Sequence, residues 1–223
     1  MGFMRNIYLS DITMWAPGLG SDPELWKNWA ENKESIALSN ESPKLEYTNP
    51  LFRRRLSQIT KMTVEVVHAL LEKSHINKDT KLEFISLRGE IARTFSVTKG
   101  IIEDGIILPA GFSLSVFNTP ISSATLAFGL KGGYSVLYPS KNDFSESFKA
   151  AVAPVLAGTE KEVILVYADE FVPEAYGDKR PAENIPVAFS CVISVEKKDD
   201  CIVFEDFSNV GKSPVEFLRF LLK

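Results

Sequence analysis

From residue 51 to 73, LFRRRLSQITKMTVEVVHALLEK, apolar positions return at helical spacing, with Leu56, Ile59, Thr63, Val66, Val67 and Leu70 on one side. Asn49 and Pro50 supply a capping side chain and a first-turn proline, so one amphipathic helix is predicted over 51–73. Burying five or six such side chains at roughly 1.5–3 kcal/mol each gives on the order of 10 kcal/mol before entropy, which makes it a core helix. Ser21, followed by Asp22, Pro23 and Glu24, reads as a capping box for a shorter helix that puts Trp26 and Trp29 on one side. With Trp15, these rings are expected to fasten an N-terminal flap to the core.

Strand patterns alternate with the helices. LEFISL (82–87) is rich in strand formers and ends at Arg88 and Gly89, and YSVLY (134–138) is a second candidate. VILVYA (163–168) is a near-continuous apolar run, as expected of a strand covered on both faces. A helix is predicted from Ile91 to Ile102. FSLSVFN (112–118) alternates apolar and small polar residues, and SSATLAFGL reads as a short helix before Gly132 and Gly133. Asp143 with Glu146 resembles a capping box for a helix ending at Gly158, in which Pro154 predicts a kink or early stop. Residues 169–186, with three prolines among charged side chains, are expected to be a surface excursion. Strands at 187–195 and 201–207 bracket KKDD as a plausible hairpin, and Ser213, Pro214 and Glu216 cap a last helix. This order predicts one layered α/β domain over 1–223, a mixed central sheet flanked by helices.

Composition narrows the function. The chain has 223 residues, 45% apolar and 24% charged, with a net charge of −4. Basic residues are scattered apart from Arg53-Arg54-Arg55, so nucleic acid is not an expected partner. With no long apolar run, neither export nor a membrane span is expected, and the compartment expected is the cytoplasm. Cys191 and Cys201 are expected as buried thiols, and His68 and His75 lie in or just past the 51–73 helix without metal-ligand spacing.

RRRLSQITKMTVEVVHAL, the GE of Gly89-Glu90, PAGFSLSVFN at 109–118, LAG at 156–158 and VYADEFVPEAYG at 166–177 together resemble the short β-ketoacyl-synthase N-terminal-like proteins of the thiolase superfamily. The ordered series spans roughly residues 13–195. The resemblance implies half of a ketosynthase, with a βαβαβαββ half-fold, and specifically a subunit like the chain length factor of aryl polyene type II polyketide synthases. It further implies heterodimerisation with a ketosynthase through the strand at 134–138, with an acyl carrier protein involved indirectly. Phe117 stands where the family pattern has a His, so apolar bulk replaces a polar group there.

Decarboxylative condensation requires a thiolate at a helix N-terminus and two histidines that polarise the carbonyls. By the resemblance the nucleophile position falls in Lys141-Asn142-Asp143, where there is no Cys, Ser or Thr, and the histidines belong to a C-terminal half. The expectation is therefore a non-catalytic subunit without cofactor, which limits chain length by closing its partner's acyl tunnel. Phe112, Leu114, Phe117 and Asn118, with Tyr134, Val136 and Tyr138, are the candidate interface and tunnel residues. Arg53, Arg54 and Arg55 are candidate contacts for a carrier protein or the partner, or simply a solvated helix start. Asp169 and Glu170 are expected to serve an ion pair or a turn. The rival readings are an acyl-thioester hydrolase or acyltransferase using Cys191 or a serine, and a homodimeric scaffold that binds acyl carriers.

Overall fold

The computed structural model describes residues 6–106, 108–179, 184–205 and 207–223. Its elements are β1 (Ile7–Trp15), α1 (Pro23–Asn32), α2 (Pro50–Arg53), α3 (Gln58–Lys73), β2 (Lys81–Ile85), α4 (Ile91–Asp104), α5 (Pro109–Ser113), α6 (Thr119–Phe128), β3 (Tyr134–Leu137), α7 (Phe144–Ala157), β4 (Glu162–Asp169), β5 (Val187–Ser194), β6 (Ile202–Phe204) and α8 (Pro214–Leu221). The strands form one mixed sheet in the order β3-β2-β4-β5-β1-β6. β2 is parallel to β3 and β4, while β5 runs antiparallel to both β4 and β1.

Strand periodicity builds the layers. Along β4, Val163, Leu165 and Tyr167 enter a core shared with α1, α7 and α8, whereas Ile164, Val166 and Ala168 enter one shared with α3 and α6. β5 repeats the alternation, with Phe189 and Cys191 on the first side and Ala188 and Val192 on the second. Both strands are covered on both faces, as their apolar runs predict. Thr13 Oγ1 (2.8 Å) and Ser190 Oγ (3.0 Å) donate to the Val66 carbonyl, so hydroxyls pointing from the sheet under α3 are satisfied there.

Several expectations are corrected. The 51–73 helix is two: Asn49 caps α2 through Leu51 N, and after a break Ser57 caps α3 through Thr60 N. The cap of α1 is Asp22, not Ser21, and it accepts from the amides of Glu24 and Leu25. The opening segment is not a flap over the core, because β1 is a full strand inside the sheet. The 187–195 and 201–207 strands form no hairpin with each other, because β1 lies between β5 and β6 and pairs with both. Residues 112–118, where apolar and small polar positions alternate, form the end of α5 and a turn. Pro154 does not stop α7, which runs to Ala157 before Gly158 closes it at φ 75°. Asp143 does cap α7, but Glu146 turns outward to Lys149 at 3.1 Å.

The 169–186 excursion is partly internal, since Glu170, Val172 and Asn184 are buried. Residues 180–183 of it, residues 1–5 of the opening and residue 206 of the last strand prediction lie outside the described residues. The α8 capping box forms as expected, with Ser213 and Glu216 each bonding the other's end. Phe217, Leu218 and Leu221 then enter the core, each stabilising by about 1.5–3 kcal/mol.

Candidate functional site

Among the described residues β3 sits at one margin of the sheet, with β2 as its only strand neighbour. Its outer backbone groups therefore form an unpaired edge among the described residues, a template for another strand. Side chains around that edge are organised. Phe117 meets Tyr138 edge to face at 6.2 Å, and Asn118 Nδ2 donates to the Tyr134 hydroxyl at 2.9 Å. Val136 is half-buried, and Tyr138 is 62% exposed. Phe112 is 56% exposed on α5. Leu114 lines a separate cleft of about 790 Å³ with Leu51, Phe52 and Leu126.

The predicted helix from Ile91 forms as α4, but sequence reasoning missed its exposure. None of its residues is buried, and Ile102, followed by Ile106 and Leu108, is well exposed. Charged neighbours and a glycine obscure the pattern in sequence, although the run of isoleucines from Ile101 was a signal. An apolar, unburied helix is the composition of a surface that a partner covers.

The turn from β3 into α7 occupies the nucleophile position implied by the resemblance. Lys141 and Asn142 both take positive φ, 54° and 57°, an unfavourable conformation for side chains with a Cβ. The helix end that follows is sealed. Phe144 N donates to the Lys212 carbonyl at 2.8 Å, Ser145 N to Asp143 Oδ1 at 3.1 Å, and Glu146 N to the Asp143 carbonyl at 3.2 Å. The Ser145 hydroxyl, 2.6 Å from the Asp143 carboxylate, holds that group below the usual carboxylate range. A carboxylate and two carbonyls thus occupy the site where a substrate oxyanion would need free amides.

The other candidate reactive groups are separated. Cys191 is fully buried between α7 and the sheet, and burial, reinforced by the charge of Asp11, pushes its thiol well up. His68 lies across the sheet on α3, stacked on Tyr47 at 3.6 Å and 10°. His75 is exposed, and Cys201 is only partly covered rather than buried as expected. Among the described residues no group of three or more His, Cys, Asp or Glu is placed to hold a metal, and no helix is long and apolar enough to cross a membrane.

The arginine triplet divides. Arg53 turns inward, and its Nη1 donates to the carbonyls of Leu45, Glu46 and Thr48 at 3.2–3.3 Å, so it closes a loop. Arg54 and Arg55 are exposed at the rim of the Leu114 cleft. The acidic pair proves to organise turns and helix starts. Asp169 accepts from Ser86 Oγ (2.8 Å), Leu87 N (3.0 Å), Arg88 N (2.9 Å) and the Tyr167 hydroxyl, and burial raises its pKa. Glu170 accepts from Ala92 N at 2.9 Å and Ile59 N at 3.4 Å.

A family model described as the β-ketoacyl synthase N-terminal domain matches residues 26–213. No curated protein sequence matches the chain. Among solved structures, it is similar to a chain of the ketosynthase (ApeO) in complex with its chain length factor (ApeC) from Xenorhabdus doucetiae, with a TM-score of 0.74 and 22% identity over 85% of this chain and 79% of that one. The ishigamide ketosynthase/chain length factor gives 0.68 at 10% identity, over 85% of this chain and 62% of that one. A β-ketoacyl synthase from Burkholderia phymatum STM815 gives 0.60 at 13%, over 86% and 59%. The chain thus spans less than two thirds of these last two, and at such identities the likeness is one of fold.

Proposed function

The chain belongs to the β-ketoacyl synthase N-terminal domain family, and from that premise we propose that it is a non-catalytic, chain-length-factor-like subunit. It pairs with a ketosynthase and shapes that partner's acyl tunnel, acting as a single domain in the cytoplasm. The observation that carries this reading is the start of α7. No Cys, Ser or Thr stands at 141–143, and the first three amides of the helix are bonded within the chain. A nucleophile and its oxyanion donors are the two things the family's chemistry needs there.

The unpaired β3 edge supports heterodimerisation, with Tyr134, Val136 and Tyr138 at the contact and Phe112, Phe117 and Asn118 beside it. Leu114, Arg54 and Arg55 belong to a cleft suited to an acidic carrier protein or to the partner's flank; Arg53, spent on its own loop, is not part of that contact. Aryl polyene synthesis is the setting we propose, on the sequence resemblance. The buried, raised thiol of Cys191 weighs against a hydrolase or acyltransferase that uses that cysteine, and solution mass separates a homodimeric scaffold from a heterodimer.

Co-expression with a genomically neighbouring ketosynthase, followed by native mass spectrometry and product analysis, tests the proposal. A one-to-one heterodimer is expected. Val136→Asp should abolish it by placing a charge at the strand contact, and Phe117→Ala should change product length. Condensation of malonyl thioester by this polypeptide alone, or a complex and product length indifferent to both changes, would overturn it.

A further inference from the structure

The start of α4 is held by groups that the partner-subunit reading leaves unused. Glu90, the residue before the helix, is buried, and its Oε1 accepts from Ser57 Oγ at 2.6 Å and from the Thr60 hydroxyl. Its Oε2 lies 3.2 Å from Arg93 Nε. Glu170 reaches in from the end of β4 and accepts from an amide of α3, Ile59, and an amide of α4, Ala92. One carboxylate runs from α4 to α3, and the other joins both helices to the sheet. Beyond this point α4 is loosely held. Arg93 Nη2 donates to the Arg55 carbonyl, Thr94 Oγ1 to the Ser115 carbonyl, and Phe95 meets Tyr176 at 5.4 Å, all within the first turns. Its remainder packs chiefly on α5, and none of it is buried.

We infer that Glu90 and Glu170 form a proton-operated latch that fastens the α4–α5 arm to the sheet. The charges that act on Glu170 are Glu90 and Asp169. Glu90 in turn meets Arg93 and the Ser57 and Thr60 hydroxyls at the start of α3, and Asp169 meets the Tyr167 hydroxyl and the charge of Arg88 on the loop after β2. Arg93 compensates one carboxylate directly, so among the described residues a second buried negative charge has no equal counter-ion, and a proton on Glu170 relieves the conflict. Burial, followed by the charge of Glu90, pushes Glu170 up from 4.5 to about 8. Releasing the arm exposes Glu170 to water and returns it toward 4.5. The docked arm therefore binds the extra proton between those values. Docking weakens as pH rises through that window, by up to tenfold per pH unit, and is level above it.

Amide hydrogen exchange of the full chain, read as protection factors so that intrinsic rates cancel, measures this without any partner. Protection over 91–104 should fall at least tenfold from pH 5.5 to 8 and then flatten, and should stay well below that of β4 and β5, which exchange only by global opening. Glu170→Gln and Glu90→Gln should each flatten the profile. Flat protection of α4 in the wild type, or the same slope in a folded variant, overturns the latch. Should neither variant fold, the wild-type profile alone decides. Because no ketosynthase is present, failure here leaves the subunit reading standing, and failure of that reading leaves the latch standing.

Discussion

The ring of Phe117 lies against the α-carbon of Gly89: a Cβ built on Gly89 would stand 2.6 Å from Phe117 Cδ2. Gly89 also holds φ at 58°, so two independent constraints call for glycine. Gly89→Ala is expected to destabilise the chain by about 1–3 kcal/mol, through left-handed strain and displacement of the ring. Urea denaturation reads the loss. Gly89→Ala combined with Phe117→Ala should recover part of it, because the double variant removes the clash and leaves only the backbone strain.

Arg219 on α8 is a second single-residue tie. Its guanidinium stacks 4.2 Å from the Trp29 ring and donates to the carbonyls of Trp29 (3.1 Å), Ala30 (3.4 Å) and Glu34 (2.6 Å). It thus closes the C-terminal end of α1, where a cation is favoured. Arg219→Ala should lower stability by about 2–3 kcal/mol and shift tryptophan fluorescence, and Arg219→Lys should restore only part of the loss. An unchanged denaturation midpoint would show that α1 is secured by its tryptophans alone.

Acid pH should stabilise this chain relative to mildly alkaline pH. Glu170 and Asp169 are both raised on folding, chiefly by burial, so the native state retains protons that the unfolded chain has lost. The stability that protonation supplies is present below the unfolded value, about 4.5 for Glu170, and declines as pH rises toward about 8. Melting temperatures measured from pH 5 to 8.5 should fall and level off, and Glu170→Gln should shallow that slope. A melting temperature that climbs across this range would refute the assignment.

The cysteines should react unequally. Cys191 is buried with its thiol raised, whereas Cys201 lies partly exposed before β6. Alkylation of the native chain near pH 8 should label Cys201 and spare Cys191 until denaturant is added. Fast labelling of Cys191 followed by mass spectrometry would contradict the buried placement and reopen the nucleophile reading.

Much of the fold was legible because it is local. The Ser213–Glu216 box, the Asp143 cap and the apolar run of β4 all form where spacing puts them, since each depends on neighbours a few residues away. The α2–α3 break was not legible: the apolar stripe runs through it, and only the extended backbone of Ser57 interrupts it. Strand pairing failed for a related reason. A turn between two strand patterns suggests a hairpin, yet β1, distant in sequence, buries Ile7 and Leu9 in the gap and separates them. Of the candidate interface, the β3 strand and its aromatic neighbours were visible, while Arg53's turn inward and the exposure of α4 were not.

By itself, the sequence determined that residues 141–143 carry no Cys, Ser or Thr and which strand is central, because side-chain identity and hydrophobic period are properties of the chain. Tertiary structure alone decided that β3 lies at the margin, that the Lys212 carbonyl seals Phe144 N, and that Glu90 and Glu170 meet at two helix starts. Those relationships join residues far apart along the chain. They arise because buried backbone and carboxylate groups must find polar partners wherever packing brings them together.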